Sequence, residues 1–374
     1  VEKIKDTKGC GKTTMNILFV YYVPSGGVET LNRQRSAALK QAGIHSHFLY
    51  FRKARDLVND HEGPTFITDD DTEIKAILEK GNYDLMVIIS DYKSIPRFRN
   101  FGYTGPIILE IQGYGPKHVA RTEMTNAVPY VTTPGIGLLN PKTPHISHIF
   151  SELFPAIPTF QFNNCFDSNK FTYKRLPKAD KPIVAWIGRL EDNKNWREFL
   201  QIGKRLLNDV NKGIQLYMFE DPTLSTQEER AAFQLLVDQL QLAEHLTILP
   251  NIPNEKMADY YSIIGDSGGF LCSTSKVEGA PYSVLEAFSC RCPVLTTDSD
   301  GVRSSIIHNV TGKYYPLGNI DAACKQAKEL MYYTTVRERI RTTAYLHLTR
   351  EFSPEQYCRN FVSMMSHFGV KTQN

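Results

Sequence analysis

The stretch Gly269-Phe-Leu-Cys-Ser-Thr-Ser-Lys-Val-Glu-Gly-Ala-Pro-Tyr-Ser-Val-Leu-Glu-Ala-Phe-Ser-Cys-Arg-Cys-Pro-Val-Leu-Thr296 contains the unit from which the whole chain is built. Gly269 to Cys272 is apolar and reads as a buried strand. A loop carrying Glu278-Gly279 follows, a helix opens near Pro281 to Ser283, and Val294 to Thr296 reads as the next strand. Apolar runs alternating with helical patterns mark stacked βαβ units and a parallel sheet.

The same alternation extends in both directions. Candidate strands in the first half are Ile17 to Tyr22, His47 to Tyr50, Leu85 to Ile89, Ile107 to Ile111 and Tyr130 to Thr132. In the second half they are Ile183 to Ile187, Gln215 to Phe219, Thr247 to Leu249 and the two quoted above. Glu29 to Ala42 reads as a helix, with Leu31, Ala38, Leu39 and Ala42 inward and Gly43 stopping it. Phe199, Ile202, Leu206 and Val210 form one buried helical stripe. Near the C-terminus, Ser353 reads as an N-cap, Pro354 as the first helical residue and Gln356 as the partner in a capping box. Tyr357, Phe361, Met364 and Phe368 then line one face, a core-packing stripe. Tyr173 to Pro182, with two prolines and five charged residues, reads as a linker.

The expected division is 1–14 as a leader or cloning remnant, 15–176 and 177–352 as two Rossmann-like domains, and 353–374 as a helix returning towards the first domain. Lys8 to Thr14 imitates a phosphate-binding loop. It has Asp6 where that motif needs its first Gly, and no buried strand precedes it.

The chain has 374 residues, enough for two ordinary domains, and is 41% hydrophobic and 22% charged, a globular composition. A formal charge of +3 is too even to point to nucleic acid. No apolar run approaches the roughly 18 residues that span a bilayer. Seven scattered cysteines with no paired CxxC units argue against a disulfide framework or structural zinc. The expectation is a cytoplasmic enzyme of two doubly wound parallel-sheet α/β domains, with ligands at the carboxyl ends of the strands.

The chemistry concentrates in two places. N–H groups at the helix start near Pro281 suit phosphate. Glu278 and Glu286 flank it, about two helical turns or ~12 Å apart if all were helical. Carboxylates accept hydrogen bonds from vicinal hydroxyl pairs such as those of a ribose or hexose. The second place is Trp186-Ile-Gly-Arg-Leu-Glu-Asp-Asn-Lys-Asn-Trp196. Gly188 ends a strand and turns the chain, and Arg189 and Lys194 follow. Two cations there suit a diphosphate and stabilise its charge as it leaves, without a metal ion.

Gly188-Arg-Leu with Lys194-Asn195, then Glu278-x7-Glu286-Ala and Pro293-Val, resembles glycosyltransferase family 4, retaining enzymes of the GT-B fold that use nucleotide-sugar donors. The resemblance runs from Met15 to Phe368. Pro24-Ser-Gly-Gly-Val-Glu29 is similar to the glycine-rich first loop, Asn164-Cys-Phe-Asp167 with Phe171 to the segment before the linker, and Gly301 to Gly312 and Phe352-Ser353 to the closing segments.

The resemblance implies two domains facing across a cleft, with donor on the second and acceptor on the first. It implies that Arg189 and Lys194 hold the diphosphate, that Glu278 contacts the transferred sugar and that Glu286 contacts the ribose. Backbone groups of Gly279, Ala280, Pro281, Tyr282, Ser283 and Val284 would touch sugar and phosphate. Gly26 and Gly27 would approach from the opposite loop, and Asn251 and Ile252 would border the base. No cofactor or metal is implied; UDP-glucose is the expected donor and a glycan or lipid-linked molecule the expected acceptor.

Three departures stand out. Gln112-Gly113 replaces His-Gly, leaving Gln112, or His118 six residues on, to position a sugar. Phe219-Glu-Asp-Pro222 replaces a glycine-rich strand end, and Cys290-Arg-Cys292 a small-residue stretch. Asp69-Asp-Asp71 contains a DxD, but it precedes a helical pattern and reads as a helix start rather than a metal site. Arg52-Lys53-Ala-Arg55 and Arg97-Phe-Arg99 read as solvated faces, with an acidic acceptor or peripheral contact to the inner face of a membrane as the other options. A GT-B sugar-nucleotide epimerase and a non-catalytic sugar-nucleotide-binding protein are the alternative functions. The first lacks placeable acid/base groups, and the second sits poorly with intact Arg189, Lys194, Glu278 and Glu286.

Overall fold

Seven strands of the first domain lie side by side in the order β3-β2-β1-β4-β5-β6-β7. The computed structural model describes residues 15–24, 26–52 and 62–371, so Lys8 to Thr14, Ser25, Lys53 and Arg55 lie outside the described residues. The elements of this domain are β1 (Met15–Tyr21), α1 (Gly26–Lys40), β2 (Ile44–Tyr50), β3 (Thr65–Ile67), α2 (Asp71–Gly81), β4 (Leu85–Ile89), α3 (Ile95–Asn100), β5 (Ile107–Glu110), α4 (Lys117–Val131), β6 (Ile136–Asn140), α5 (Pro144–Leu153) and β7 (Thr159–Gln161).

The second domain contains β8 (Ile183–Ile187), α6 (Trp196–Asp209), β9 (Gln215–Glu220), α7 (Gln227–Gln239), β10 (Leu246–Pro250), α8 (Asn254–Asp266), β11 (Phe270–Ser273), α9 (Tyr282–Ser289), β12 (Val294–Thr297), β13 (Lys313–Tyr315), α10 (Ile320–Tyr332) and α11 (Thr334–Glu351). Its sheet runs β10-β9-β8-β11-β12-β13. The last helix, α12 (Pro354–His367), follows.

Pairing is parallel in both sheets; Phe19 lies opposite Phe48 on one side and Val87 on the other. Helices cover both faces, so every residue of β4 is buried. In each sheet the strand order reverses beside the first strand, between β1 and β4 and between β8 and β11. The crevices outside the carboxyl ends at those two points are where such sheets hold ligands.

Most expected elements appear within a residue or two, and one is corrected. Tyr130 and Val131 end α4, with Pro129 inside the helix, and the strand is β6, Ile136–Asn140. Its Gly-Ile-Gly start hid it. Gly137 is required there because an added Cβ would sit 2.7 Å from the Phe368 ring. That contact belongs to the docking of α12, whose Tyr357, Phe361 and Met364 enter a core with Phe19 and Phe48 of the first sheet. Ser353 caps α12 by accepting from Gln356 N at 3.1 Å, but the Gln356 side chain donates to Asn360, so the box is only half closed. The irregular Tyr173 to Pro182 segment is packed rather than loose: Tyr173 donates to Asp266 and Lys174 N to Ser262, both on α8. Among the described residues, no helix is long and apolar enough to cross a membrane.

Candidate functional site

The loops after β8 and β11 flank the second switch point and are joined to each other. Trp186 Nε1 donates to Thr274 Oγ1 at 3.1 Å, and Thr274 lies against the carbonyls of Lys194 and Asn195. Asn193 donates to Val277 O and accepts from Val277 N, a two-way clamp between the loops. On this frame Lys194 Nζ meets Glu278 Oε1 at 2.5 Å, with both side chains largely buried. The two residues assigned to neighbouring parts of one ligand therefore touch. Lys194 keeps two further donors and Glu278 its second oxygen for other partners. Arg189 is half exposed, with Glu191 at 3.1 Å. Its charge also acts on Tyr21 of the first domain, whose phenol burial raises and Arg189 lowers, so the guanidinium faces across the cleft. Gly188 sits tightly between Trp186 and Lys194, where a Cβ would find ring atoms at 3.0 Å.

The helix α9 begins without a side-chain cap, at Pro281. The side chains of Tyr282 and Val284 are buried, and Tyr282 donates to Cys165 O in the domain connection. Only backbone and Ser283 remain at this end for a ligand. Glu286, one turn on, is buried: Oε1 accepts from Asn254 at 2.9 Å and Oε2 from Tyr261 at 3.1 Å. Burial raises its pKa, and the Asn254 and Tyr261 bonds and the charge of Arg33 on α1 oppose the rise. Asn251, with φ 50°, is exposed beside Ile252 just past β10. The departure at Glu220-Asp221 has a local account, since Arg230 grips Glu220 and Asp221 caps a short turn.

The two walls meet at glycines. A Cβ on Gly279 would lie 1.7 Å from the carbonyl oxygen of Gln112, so Gly279 is needed for the first domain to close on the second. Thr143 at the start of α5 donates to Gly279 O at 3.1 Å. Gly26 needs its freedom for φ +74°, and around both it and Gly27 an added Cβ would meet open space, with no protein atom within 4 Å.

Several residues at this junction had no sequence signal beyond an Asp-Gly pair. Asp300, φ 68°, centres a γ-turn closed by Gly301 N to Ser299 O at 2.9 Å, a strained conformation for a residue with a side chain. Its carboxylate accepts from His145 N and pairs with His145 Nδ1, with Lys117 at 3.4 Å, all from the first domain. Burial raises its pKa, and the His145 bonds and the charges of His145 and Lys117 outweigh that and hold it below the usual range. The same turn supports the Glu278-Gly279 loop, because Glu278 N donates to Ser299 O and Gly301 N also approaches Glu278 O.

The Gln112 amide donates to Glu110 and Asn164 and accepts from Asn164, so its side chain is engaged within the protein. His118 is exposed on the first turn of α4. Beneath Gln112, fully buried Arg35 pairs with Glu110 at 2.6 Å and lies 3.9 Å from the Phe19 ring centroid. Asp69 and Asp71 both bind Arg97, and Asp70 caps α2, so helix capping and ion pairing account for the DxD. Among the described residues, no group of three His, Cys, Asp or Glu side chains is placed to hold a metal. Arg99 donates to Tyr103 O and Gly105 O, so both guanidinium groups of that cluster are held by the protein.

A cavity of about 270 Å³ opens at the carboxyl ends of β1, β4 and β5, lined by Tyr21, Tyr22, Asp91, Tyr92, Tyr114 and Glu123 among others. It went unseen in the sequence because its residues come from four separate segments.

The sequence profile of the family described as "Glycosyl transferases group 1" matches residues 167–347, the second domain. Capsular polysaccharide biosynthesis glycosyltransferase CapM of Staphylococcus aureus is 24% identical over 205 residues, 54% of this chain and 50% of CapM. The chain spans half or less of the length of the curated relatives it matches. Among solved structures, sucrose-phosphate synthase from Thermosynechococcus elongatus aligns with a TM-score of 0.80 at 17% identity, covering 95% of this chain and 99% of that one. Anabaena HepE in complex with UDP and glucose aligns with a TM-score of 0.79 at 15% identity, covering 94% and 100%. The fold is GT-B, two Rossmann-like domains facing across a cleft.

Proposed function

We propose that this chain is a metal-independent, retaining glycosyltransferase of family 4 that moves a hexose from a UDP-sugar to a glycan or lipid-linked acceptor, with UDP-glucose as the donor. The observation that carries the reading is the meeting of Lys194, Arg189 and the Glu278-Gly279 loop at one switch point, within the segment that matches group 1 glycosyltransferases. Arg189 and Lys194 hold the diphosphate and neutralise the charge that develops as the bond to the sugar breaks. Glu278 accepts from sugar hydroxyls with its second oxygen, and the backbone at the start of α9 receives phosphate. Glu286 accepts from the ribose while Asn254 and Tyr261 hold it in place. The leaving phosphate takes the acceptor proton in a front-face substitution, which needs no side-chain nucleophile. Closure of the walls at Gly279 expels the water that would hydrolyse the donor. HepE, whose structure contains UDP and glucose, and CapM of capsular polysaccharide biosynthesis make UDP-glucose and a polysaccharide pathway the first choices to test.

The test is thermal stabilisation by UDP-, GDP- and ADP-sugars with EDTA present. A donor at about 100 times its dissociation constant should stabilise by ~2.7 kcal/mol. Release of nucleotide diphosphate that requires an added acceptor then establishes transfer. No stabilisation by any donor in EDTA, but stabilisation with Mg²⁺ or Mn²⁺, would overturn metal independence. An isomeric sugar nucleotide as product would replace transfer with epimerisation.

A further inference from the structure

The cavity in the first domain has a chemistry of its own. Asp91 follows β4 with its carboxylate buried, accepting from Ser94 Oγ, and its charge bears on the Tyr22 phenol. Glu123, on α4, accepts from Tyr92 OH at 3.1 Å. Each carboxylate keeps unused lone pairs, which only a donor can satisfy. Burial and the neighbouring acids raise the phenols of Tyr22 and Tyr92, the latter to about 12, so they stay neutral donors at physiological pH. Aromatic rings form the remaining wall: Tyr21 and Tyr22 are 5.8 Å apart edge to face, and Tyr92 lies 5.2 Å from Tyr130. Flat apolar ring faces beside clustered acceptors match a sugar ring, which presents C–H faces and hydroxyl edges. Among the lining residues the cations are outnumbered, with Lys93 alone against Asp91 and Glu123. Arg189 reaches Tyr21 from the other wall, but it serves the diphosphate in the proposed reaction. A second cavity of about 460 Å³ shares Tyr92 and Lys93 and extends towards Tyr130.

We propose that this cavity is the acceptor subsite and that the sugar it holds carries no phosphate or carboxylate, the acceptor continuing past Tyr92 into the adjoining cavity. The word acceptor rests on the transferase reading; the binding chemistry does not. Saturation-transfer NMR on the whole chain without donor, with methyl glucoside, methyl glucosaminide, methyl glucuronide and glucose 6-phosphate as probes, tests it directly. The first two should bind, the last two at least about tenfold more weakly. Glu123→Gln should weaken the first two, and Glu123→Lys, at a partly exposed helix position, should bring up glucose 6-phosphate. Equal binding of anionic and neutral probes, no detectable binding of any, or binding unaffected by both Glu123 variants would overturn the inference. If the probes behave as expected while no nucleotide sugar stabilises the protein, the subsite stands and the transferase reading falls.

Discussion

The two walls of the cleft are built by the same strand-loop-helix logic and offer opposite chemistries. The second-domain wall presents cations and backbone: Arg189, Lys194, Gly279 and the start of α9. The first-domain wall presents phenols and carboxylates around Asp91 and Glu123. Their foundations differ too. Behind the second wall are Trp186 and Trp196 in an apolar core, whereas behind the first is the buried Arg35–Glu110 pair. Under the proposed transferase reading the contrast divides the work. A departing diphosphate needs fixed positive charge, and an incoming polyol needs acceptors for its hydroxyls.

The largest expected effect breaks one foundation and spares the other. Arg35→Met leaves Glu110 buried without its counter-charge, which costs about 3–5 kcal/mol. Both tryptophans lie in the second domain, so tryptophan fluorescence should keep its denaturant midpoint while far-UV circular dichroism gains an earlier transition. Arg35→Met with Glu110→Leu should recover most of the loss. Midpoints that move together would show that the walls share one unfolding unit.

Next in size is the chemistry of the second wall. Lys194→Ala removes a preorganised charge from the leaving group and should cut kcat by about 10²–10³. Glu123→Gln should act on acceptor KM instead. Near-normal kcat in Lys194→Ala and in Arg189→Ala would remove the diphosphate role from this wall.

This asymmetry also explains what the sequence could show. The second wall is compact in the chain, since Gly188 to Lys194 and Glu278 to Glu286 are short segments whose residue types follow from phosphate and hydroxyl chemistry. The longer strands were legible because buried parallel strands are continuous apolar runs, except β6, where Gly135 and Gly137 broke the run and Pro129 mimicked a boundary; the three-residue edge strands β3, β7 and β13 are too short to leave such a run and were not read. The first wall was not legible: Tyr22, Asp91, Tyr114 and Glu123 lie far apart in sequence and meet only through strand order. Asp300 was hidden for a related reason, because its partners His145 and Lys117 belong to the other domain. The partner of Gln112 was hidden too, because nothing local reveals Asn164.

A smaller effect should come from forcing the walls apart. Gly279→Ala drives a methyl into Gln112 O, an overpacking cost of about 1–3 kcal/mol that falls on closure. Transfer should drop by about 10- to 100-fold while donor binding to the second domain changes little. His145→Ala should act the same way and more weakly, since the walls keep the Thr143 bond to Gly279. Unchanged transfer in both would mean that contact at Gly279 is not part of the working state.

The smallest effect separates two acids of the second domain by pH. Burial raises Glu286, so the native state prefers it protonated: that contribution is complete below the ordinary Glu value of about 4.3 and is lost as pH rises through the higher folded value. Asp300 runs the other way. Held low by His145 and Lys117, it contributes stability above the ordinary Asp value of about 3.9 that disappears as pH falls through the lower folded value. Glu286→Gln should therefore gain on the parent protein as pH rises above about 4.3, and Asp300→Asn should lose on it as pH rises towards and past about 3.9. Denaturant midpoints measured from pH 3 to 8 read both. Glu286 is set chiefly by burial and by Asn254 and Tyr261 of its own domain, with Arg33 of the other domain the last cause, whereas the groups that hold Asp300 low both come from the other domain, so the Asp300 difference should shrink more when Gly279→Ala opens the walls. If both differences survive that opening equally, His145 and Lys117 are not what holds Asp300 low.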